Sequence, residues 1–260
     1  MIDADLICSG ALLALAAVVL LAYGVRSTAR SGKGTSATTR PGLPGWVKEL
    51  AQWALEPVVR WVVRAGISAS SITGMSLVLG TGSGVLLALG HFGIAGIVLV
   101  VASLGDTVDG AVARRTKTAT PAGALFDSSV DRYQEFFVLG GIAMFFRANA
   151  IVVALVLVSL LGSFMVSYGS AKAEAFRVVV PPGWMRRAER AVCVSAGTIL
   201  VPPAGAVARA FGLPDWTEYT PVWLALGLVA VVANISAVVR LRAIAVAASE
   251  LESRGGGQGC

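Results

Sequence analysis

The chain has 260 residues, of which 56% are hydrophobic and only 14% charged, and its mean hydropathy is +0.77. A soluble domain carries about 25% charged residues, so this composition excludes one and predicts an all-α, polytopic membrane protein. Its apolar runs are close to the ~20 residues of a membrane helix rather than alternating ten-residue strands. The net charge of +6 is read as cytoplasmic loop charge that meets anionic headgroups, and no nucleic-acid partner is expected. Cys8, Cys193 and Cys260 have neither metal-ligand nor redox spacing.

In chain order, residues 6 to 25 predict a first span. Asp3 and Asp5 precede it and Arg26 and Arg30 follow it, which puts the N-terminus outside and makes residues 1–26 a retained anchor. Residues 27–45, rich in Ser, Gly and Thr and ending in Pro41-Gly-Leu-Pro44, read as a flexible cytoplasmic linker. Residues 46–65 read as an amphipathic helix in the membrane interface, with Trp46, Leu50, Trp53, Ala54 and Trp61 on one side. A second span covers about Ser70 to Gly90. Its Gly80 and Gly84 form a small-xxx-small pair that permits close helix packing, or a close approach of a ligand to the backbone. His91, the only histidine, reads as a solvated residue of the next outer turn.

The third and fourth spans, about 93–115 and 121–146, carry the chemistry. Asp106 and Asp109 are three residues apart, and Asp127 and Asp131 are four apart, so each pair shares a helix face. Between them, Arg114-Arg115-Thr-Lys117 marks the inner side, and Pro121 suits a new helix start. The simplest geometry is a helical hairpin with two carboxylates on each arm. Four carboxylates at one depth repel one another unless a cation lies among them, and hard oxygen ligands suit Mg²⁺, Mn²⁺ or Ca²⁺ rather than zinc.

A fifth span covers about 149–170, followed by a basic inner loop with Lys172, Arg177, Arg186, Arg187 and Arg190. The sixth, about 191–211, contains Pro202 and Pro203, which predict a kink or break. The seventh, about 220–239, ends in Arg240 and Arg242, and residues 249–260 read as a disordered tail.

Asp106-x-x-Asp109-Gly110-x-x-Ala113-Arg114, eight residues, then Gly123-x-x-x-Asp127-x-x-x-Asp131 resembles the signature of the CDP-alcohol phosphotransferase family. All eight positions match at the family's spacing. The resemblance implies a six-helix catalytic membrane domain at residues 66–248, with the anchor and linker outside it. It implies Asp106, Asp109, Asp127 and Asp131 as ligands of two Mg²⁺ ions (or Mn²⁺), with Asp131 also the catalytic base. It places the CDP-linked donor against Thr73, Asp106, Gly110, Ala113, Arg114 and Gly123. Thr73 retains the Thr of the family's Pro-Asn-x-x-Thr pattern, while Ala69 and Ser70 stand at the Pro and Asn positions.

Asp127-Ser-Ser-Val-Asp131-Arg132, Ser167-Tyr-Gly-Ser-Ala-Lys172 and Arg187-Ala-Glu-Arg190 are further similar to the branch that makes phosphatidylinositol phosphate. That likeness implies Lys172, Arg187, Arg190 and Arg240 as ligands of the acceptor's phosphate. The expected activity is transfer of a phosphatidyl group from CDP-diacylglycerol to a phosphorylated polyol, best matched by inositol phosphate, with release of CMP. The enzyme would be a homodimer in the inner membrane with its active site facing the cytoplasm. Phosphatidylglycerol phosphate synthesis is the alternative acceptor chemistry; a non-catalytic scaffold or transporter is the alternative class.

Overall fold

The computed structural model describes residues 4–29, 45–180 and 183–256, all helical or in short connections, with no strand among the described residues. The helices are α1 (Ala4–Ala29), α2 (Gly45–Arg64), α3 (Ala69–Ala88), α4 (Phe92–Thr116), α5 (Pro121–Phe145), α6 (Ala150–Ala175), α7 (Arg187–Ile199), α8 (Val201–Ala210) and α9 (Thr220–Gly256). A 3₁₀ turn, Asp215–Tyr219, precedes α9. The short connections after α3, α4 and α5 make neighbouring helices run back and forth, so the polar ends of α4 and α5 meet at one end of the bundle.

Six helical stretches are long and apolar enough to cross a membrane, with α7 and α8 counted as one. Helix α5 is not among them, although its 25 residues give it the length. Asp127, Asp131, Arg132 and Glu135 make its first half too polar, so the expected fourth span is recognised by its place in the fold rather than by its hydropathy. Pro202 and Pro203 do break the sixth span: α7 ends at Ile199 and α8 begins at Val201, with both prolines in the first turn, where a missing N–H is harmless.

Helices α3 and α5 pack backbone to backbone. A Cβ placed on Gly84 would lie 2.4 Å from the Phe137 carbonyl oxygen, and one on Gly141 would lie 2.1 Å from the Gly84 oxygen. The Gly80/Gly84 pair therefore serves helix packing rather than a ligand. Buried small polar side chains stitch other helices together: Ser83 Oγ donates to the Ala95 carbonyl at 2.9 Å and Ser159 Oγ to Leu226 at 3.0 Å. Cys8 and Cys193, in α1 and α7, form no disulfide.

Three expectations change at the edges of the fold. His91 is not a solitary turn residue: its Nδ1 lies 3.2 Å from Asp5 Oδ2, and Asp5 Oδ1 accepts the Ile94 N–H at 2.9 Å. The first turn of α1 thus docks on the first turn of α4, where a carboxylate complements the helix dipole, and Gly93 leaves room for it: an added Cβ would lie 2.2 Å from the Asp5 carbonyl oxygen. The expected tail is largely helical, because α9 runs on through Gly256. Its 37 residues span ~55 Å at ~1.5 Å each, well beyond a ~30 Å hydrocarbon core, and the Ala-rich run after Arg242 favours continuation. Residues 257–260 lie outside the described residues, as do 30–44 of the expected linker; the linker's first residues belong to α1 and residue 45 to α2.

On α2 the side that packs is Leu55, Val59 and Val62, against Val108 and Val112 of α4, while Trp46 and Trp61 stay exposed. The tryptophan side expected from periodicity thus remains available to lipid headgroups. Arg115 Nη2 donates to both Glu56 carboxylate oxygens at 2.8 and 2.7 Å. That bond holds the Glu56 carboxyl below the usual carboxylate range and ties α2 to the inner end of α4.

Candidate active site

The site is built from the last third of α4, the first half of α5 and the first turn of α7. Asp106 and Asp109 lie one turn apart on α4. Thr120 caps α5 by accepting the Gly123 N–H at 3.1 Å, with Pro121 at the first helical position, and this start sets Asp127 and Asp131 on the side facing α4. Asp106, Asp109 and Asp127 each offer one carboxylate oxygen, and the three atoms lie within 4.8 Å of one another. Opposite oxygens around one hard cation stand ~4 to 5 Å apart. Asp106 Oδ1 and Asp127 Oδ1 are moreover buried without a hydrogen-bond partner. Unpartnered buried carboxylate oxygens are unfavourable, and a divalent cation with oxygen preference satisfies them. The donor set therefore fits a hard divalent ion. Thr73 Oγ1 donates to Asp109 Oδ2 at 2.6 Å, which orients that carboxylate from α3.

Asp131 stands beside the triad rather than in it. Arg187, from the start of α7, reaches between the two helices. Its Nη2 pairs with Asp106 Oδ2, and its Nη1 lies 2.9 Å from Asp131 Oδ1, in ion-pair range but off the angle of a hydrogen bond, since that oxygen has no hydrogen-bond partner. One guanidinium thus bridges the two arms of the hairpin.

A cavity of about 490 Å³ opens next to the triad. Thr73, Asp109, Gly110, Ala113, Arg114, Gly123 and Asp127 line it, with the hydroxyls of Ser68, Ser70, Thr118 and Thr120. Every residue expected at the donor is on this wall except Asp106, which faces Arg187. At Gly110 a Cβ would lie 3.2 Å from Arg114 Nη1, and at Gly123 the same distance from Thr120 Oγ1. The glycines keep the wall flat so that a flat ring or a ribose can lie against backbone.

Of the four basic residues expected at the acceptor, Arg187 and Arg190 line one small cavity with Asp131, Gln134 and Glu135, and each of the four has its own surroundings. Arg187 reaches the aspartates. Arg190 is instead buried between α5 and α7: Nε and Nη2 donate to Glu135 at 2.6 and 3.0 Å, and Nη1 donates to the Met185 carbonyl at 2.7 Å. These bonds lock α7 onto α5. Lys172 Nζ sits over the Tyr168 and Phe176 rings at 5.5 and 5.7 Å. Arg240 lies on α9, its Nε buried with no hydrogen-bond partner and its chain beside Gly169 and Gly183. Sequence reasoning assigned nothing to Glu135 or to Gln134, whose Oε1 accepts from Arg187 at 3.1 Å. The signal for Glu135 was an acid one turn beyond Asp131 in an apolar stretch, which calls for a buried cation.

Fold and site together define a helical membrane protein with an acidic centre able to hold a cation beside a nucleotide-sized cavity. The family model for CDP-alcohol phosphatidyltransferase matches residues 67–239, and the chain belongs to that family of membrane transferases. The phosphatidylinositol phosphate synthase of Mycobacteroides abscessus is 28% identical over 204 residues, 75% of this chain and 86% of the relative. That of Streptomyces avermitilis is 29% identical over 245 residues, 88% of this chain and 97% of its own. The fold is shared with the crystal structure of the Mycobacterium tuberculosis phosphatidylinositol phosphate synthase with CDP-DAG bound (TM-score 0.61, 24% identity, 72% of this chain and 92% of that one). The same synthase in complex with manganese and citrate aligns with a TM-score of 0.62, again at 24% identity, over 72% of this chain and 87% of that one.

Proposed function

We propose that the protein moves the phosphatidyl group of CDP-diacylglycerol onto a hydroxyl of inositol phosphate and releases CMP. The observation that carries this reading is the adjacency of three features: a nucleotide-sized cavity, a carboxylate triad, and Asp131 facing Arg187. The likeness to two phosphatidylinositol phosphate synthases, over 75% and 88% of this chain, supports inositol phosphate over glycerol phosphate as the acceptor.

In this reading the cytidine end lies in the 490 Å³ cavity, against Gly110 and Gly123, with Arg114 and the Thr73 side of the wall beside it. Asp106, Asp109, Asp127 and Asp131 would hold two Mg²⁺ ions, for which Mn²⁺ can substitute. When bound, the ions neutralise the diphosphate and the charge that develops on CMP. Asp131 takes the proton of the acceptor hydroxyl. The freed oxygen attacks the phosphorus that bears the diacylglycerol. A P–O bond forms there, the P–O bond to CMP breaks, and CMP leaves with the electron pair. Arg187 draws the acceptor's phosphate to this point by its charge. Arg190 holds the Arg187 helix in place, and Lys172 and Arg240 extend the positive charge around the opening. The site faces the cytoplasm of the inner membrane, because Arg114, Arg115, Lys117 and the α6–α7 loop charges lie on its side of the bilayer. The enzyme works as a homodimer; on α3, Gly74 and Gly82 face open space, a surface that admits close helix contact.

The test is CMP release from CDP-diacylglycerol by purified protein with inositol phosphate, glycerol phosphate, inositol or serine as sole acceptor. Inositol phosphate should be used at least tenfold faster than the others. Preference for glycerol phosphate would reassign the acceptor, and no release with any of them would remove the enzymatic reading.

A further inference from the structure

Gln134 is an uncommon residue for its place: a buried amide, 5% exposed, in the middle of a long helix. It lies three residues beyond Asp131 and so on the same face of α5. Its Oε1 accepts a hydrogen bond from Arg187 Nη2 at 3.1 Å. Its side chain cannot swing freely, because α3 presses on it where the residue is Gly80. A Cβ added there would come within 2.7 Å of Gln134 Cγ and 3.2 Å of Gln134 Cβ. A larger residue at position 80 would displace the amide from Arg187.

We propose that Gln134 is a positioning residue that aims Arg187 at the acceptor and so sets how tightly the acceptor's phosphate is held. The inference rests on the reading that Arg187 receives that phosphate. The other partners of Arg187 are the carboxylates of Asp106 and Asp131, and both have other work in the reaction, one toward a cation and one toward a proton. The amide oxygen is neutral and has no second role, so its hold does not change through the cycle. The neighbouring Arg190–Glu135 pair fixes the helix that carries Arg187, so Gln134 has only the side chain to aim.

The test uses full-length enzyme and measures KM separately for CDP-diacylglycerol and inositol phosphate in wild type, Gln134→Met, Arg187→Ala and the double variant. Met keeps the volume of Gln and removes the acceptor atom. Hydrogen bonds to charged groups are worth enough that Gln134→Met should raise the acceptor KM roughly tenfold, with the donor KM within about twofold. In the Arg187→Ala background the same change should do nothing further to the acceptor KM, since its only route is through Arg187. Equal rises in both KM values, or an undiminished effect without Arg187, would overturn the proposal. If Arg187→Ala raises the acceptor KM while Gln134→Met does not, this inference alone fails. If Arg187→Ala leaves the acceptor KM unchanged, the assignment of Arg187 fails and this inference goes with it. Should Gln134→Met not fold, Gln134→Glu takes its place: it retains the oxygen but neutralises Arg187, so the acceptor KM must rise at least as much, and an unchanged KM overturns the proposal.

Discussion

The two ends of the α4–α5 hairpin are opposites. At the outer end, Phe92 of α4 and Phe145 of α5 meet edge to face at 5.0 Å, Phe145 meets Phe146 at 4.8 Å, and Phe146 meets Tyr219 at 5.1 Å. These rings are close-packed in preferred geometries, each worth about 1 kcal/mol beyond its burial. At the inner end the same two helices bring four aspartates together, leaving Asp106 Oδ1 and Asp127 Oδ1 buried and unpartnered. Among the described residues, Arg187 is the one cation paired with those carboxylates. Both helices also pack along α3 rather than along each other, and that packing holds the two aspartate pairs together against their repulsion. A functional site that is unfavourable in isolation persists because the surrounding structure over-determines it.

If this division is right, the largest effect comes from the inner end's missing charge. Chelation should abolish CMP release, and Mg²⁺ or Mn²⁺ should restore it. At a metal concentration 100-fold above its dissociation constant, the ion should also stabilise the protein by about 2.7 kcal/mol, read as a rise in melting midpoint without substrate. Asp109→Ala should lose that rise; a retained rise would place the ion elsewhere. Next, Asp131→Asn should lower turnover by about 10³-fold with the protein still folded and binding the CDP-linked donor. Turnover near wild type would remove Asp131 from proton transfer. Smallest in activity is the outer end: Phe146→Ala should lower stability by about 3 kcal/mol in thermal unfolding, with both KM values within about twofold. A selective loss of acceptor binding would mean that the two ends are coupled and that the comparison drawn here is too simple.

The two aspartate-bearing helices were legible in the sequence because their information is local; that they pack along α3 rather than along each other was not. Two aspartates at i and i+3, and two more at i and i+4, share a face on any helix, and Thr120-Pro121 starts a helix wherever it occurs. The break at Pro202-Pro203 was legible for the same reason. Helix α5 tested a different rule: its acids and Arg132 spoil its hydropathy, so only its signature and its neighbours mark it as part of the bundle. His91 read as solitary because Asp5 is 86 residues away. No spacing rule links a helix's first turn to a partner at that separation.

The basic residues draw the line most clearly. Lys172, Arg187, Arg190 and Arg240 looked equivalent as loop-side positive charges, and composition could not rank them. Tertiary structure sends Arg187 to the aspartates, buries Arg190 against Glu135 and lays Lys172 over two rings. By itself, then, the sequence determined the membrane class, the helical elements and the set of carboxylates, since these follow from hydrophobicity and helical period. Which cation reaches the carboxylates, and which side chains hold it there, was decided only when distant helices packed, because charge pairing acts through space and depends on separations that the linear chain does not encode.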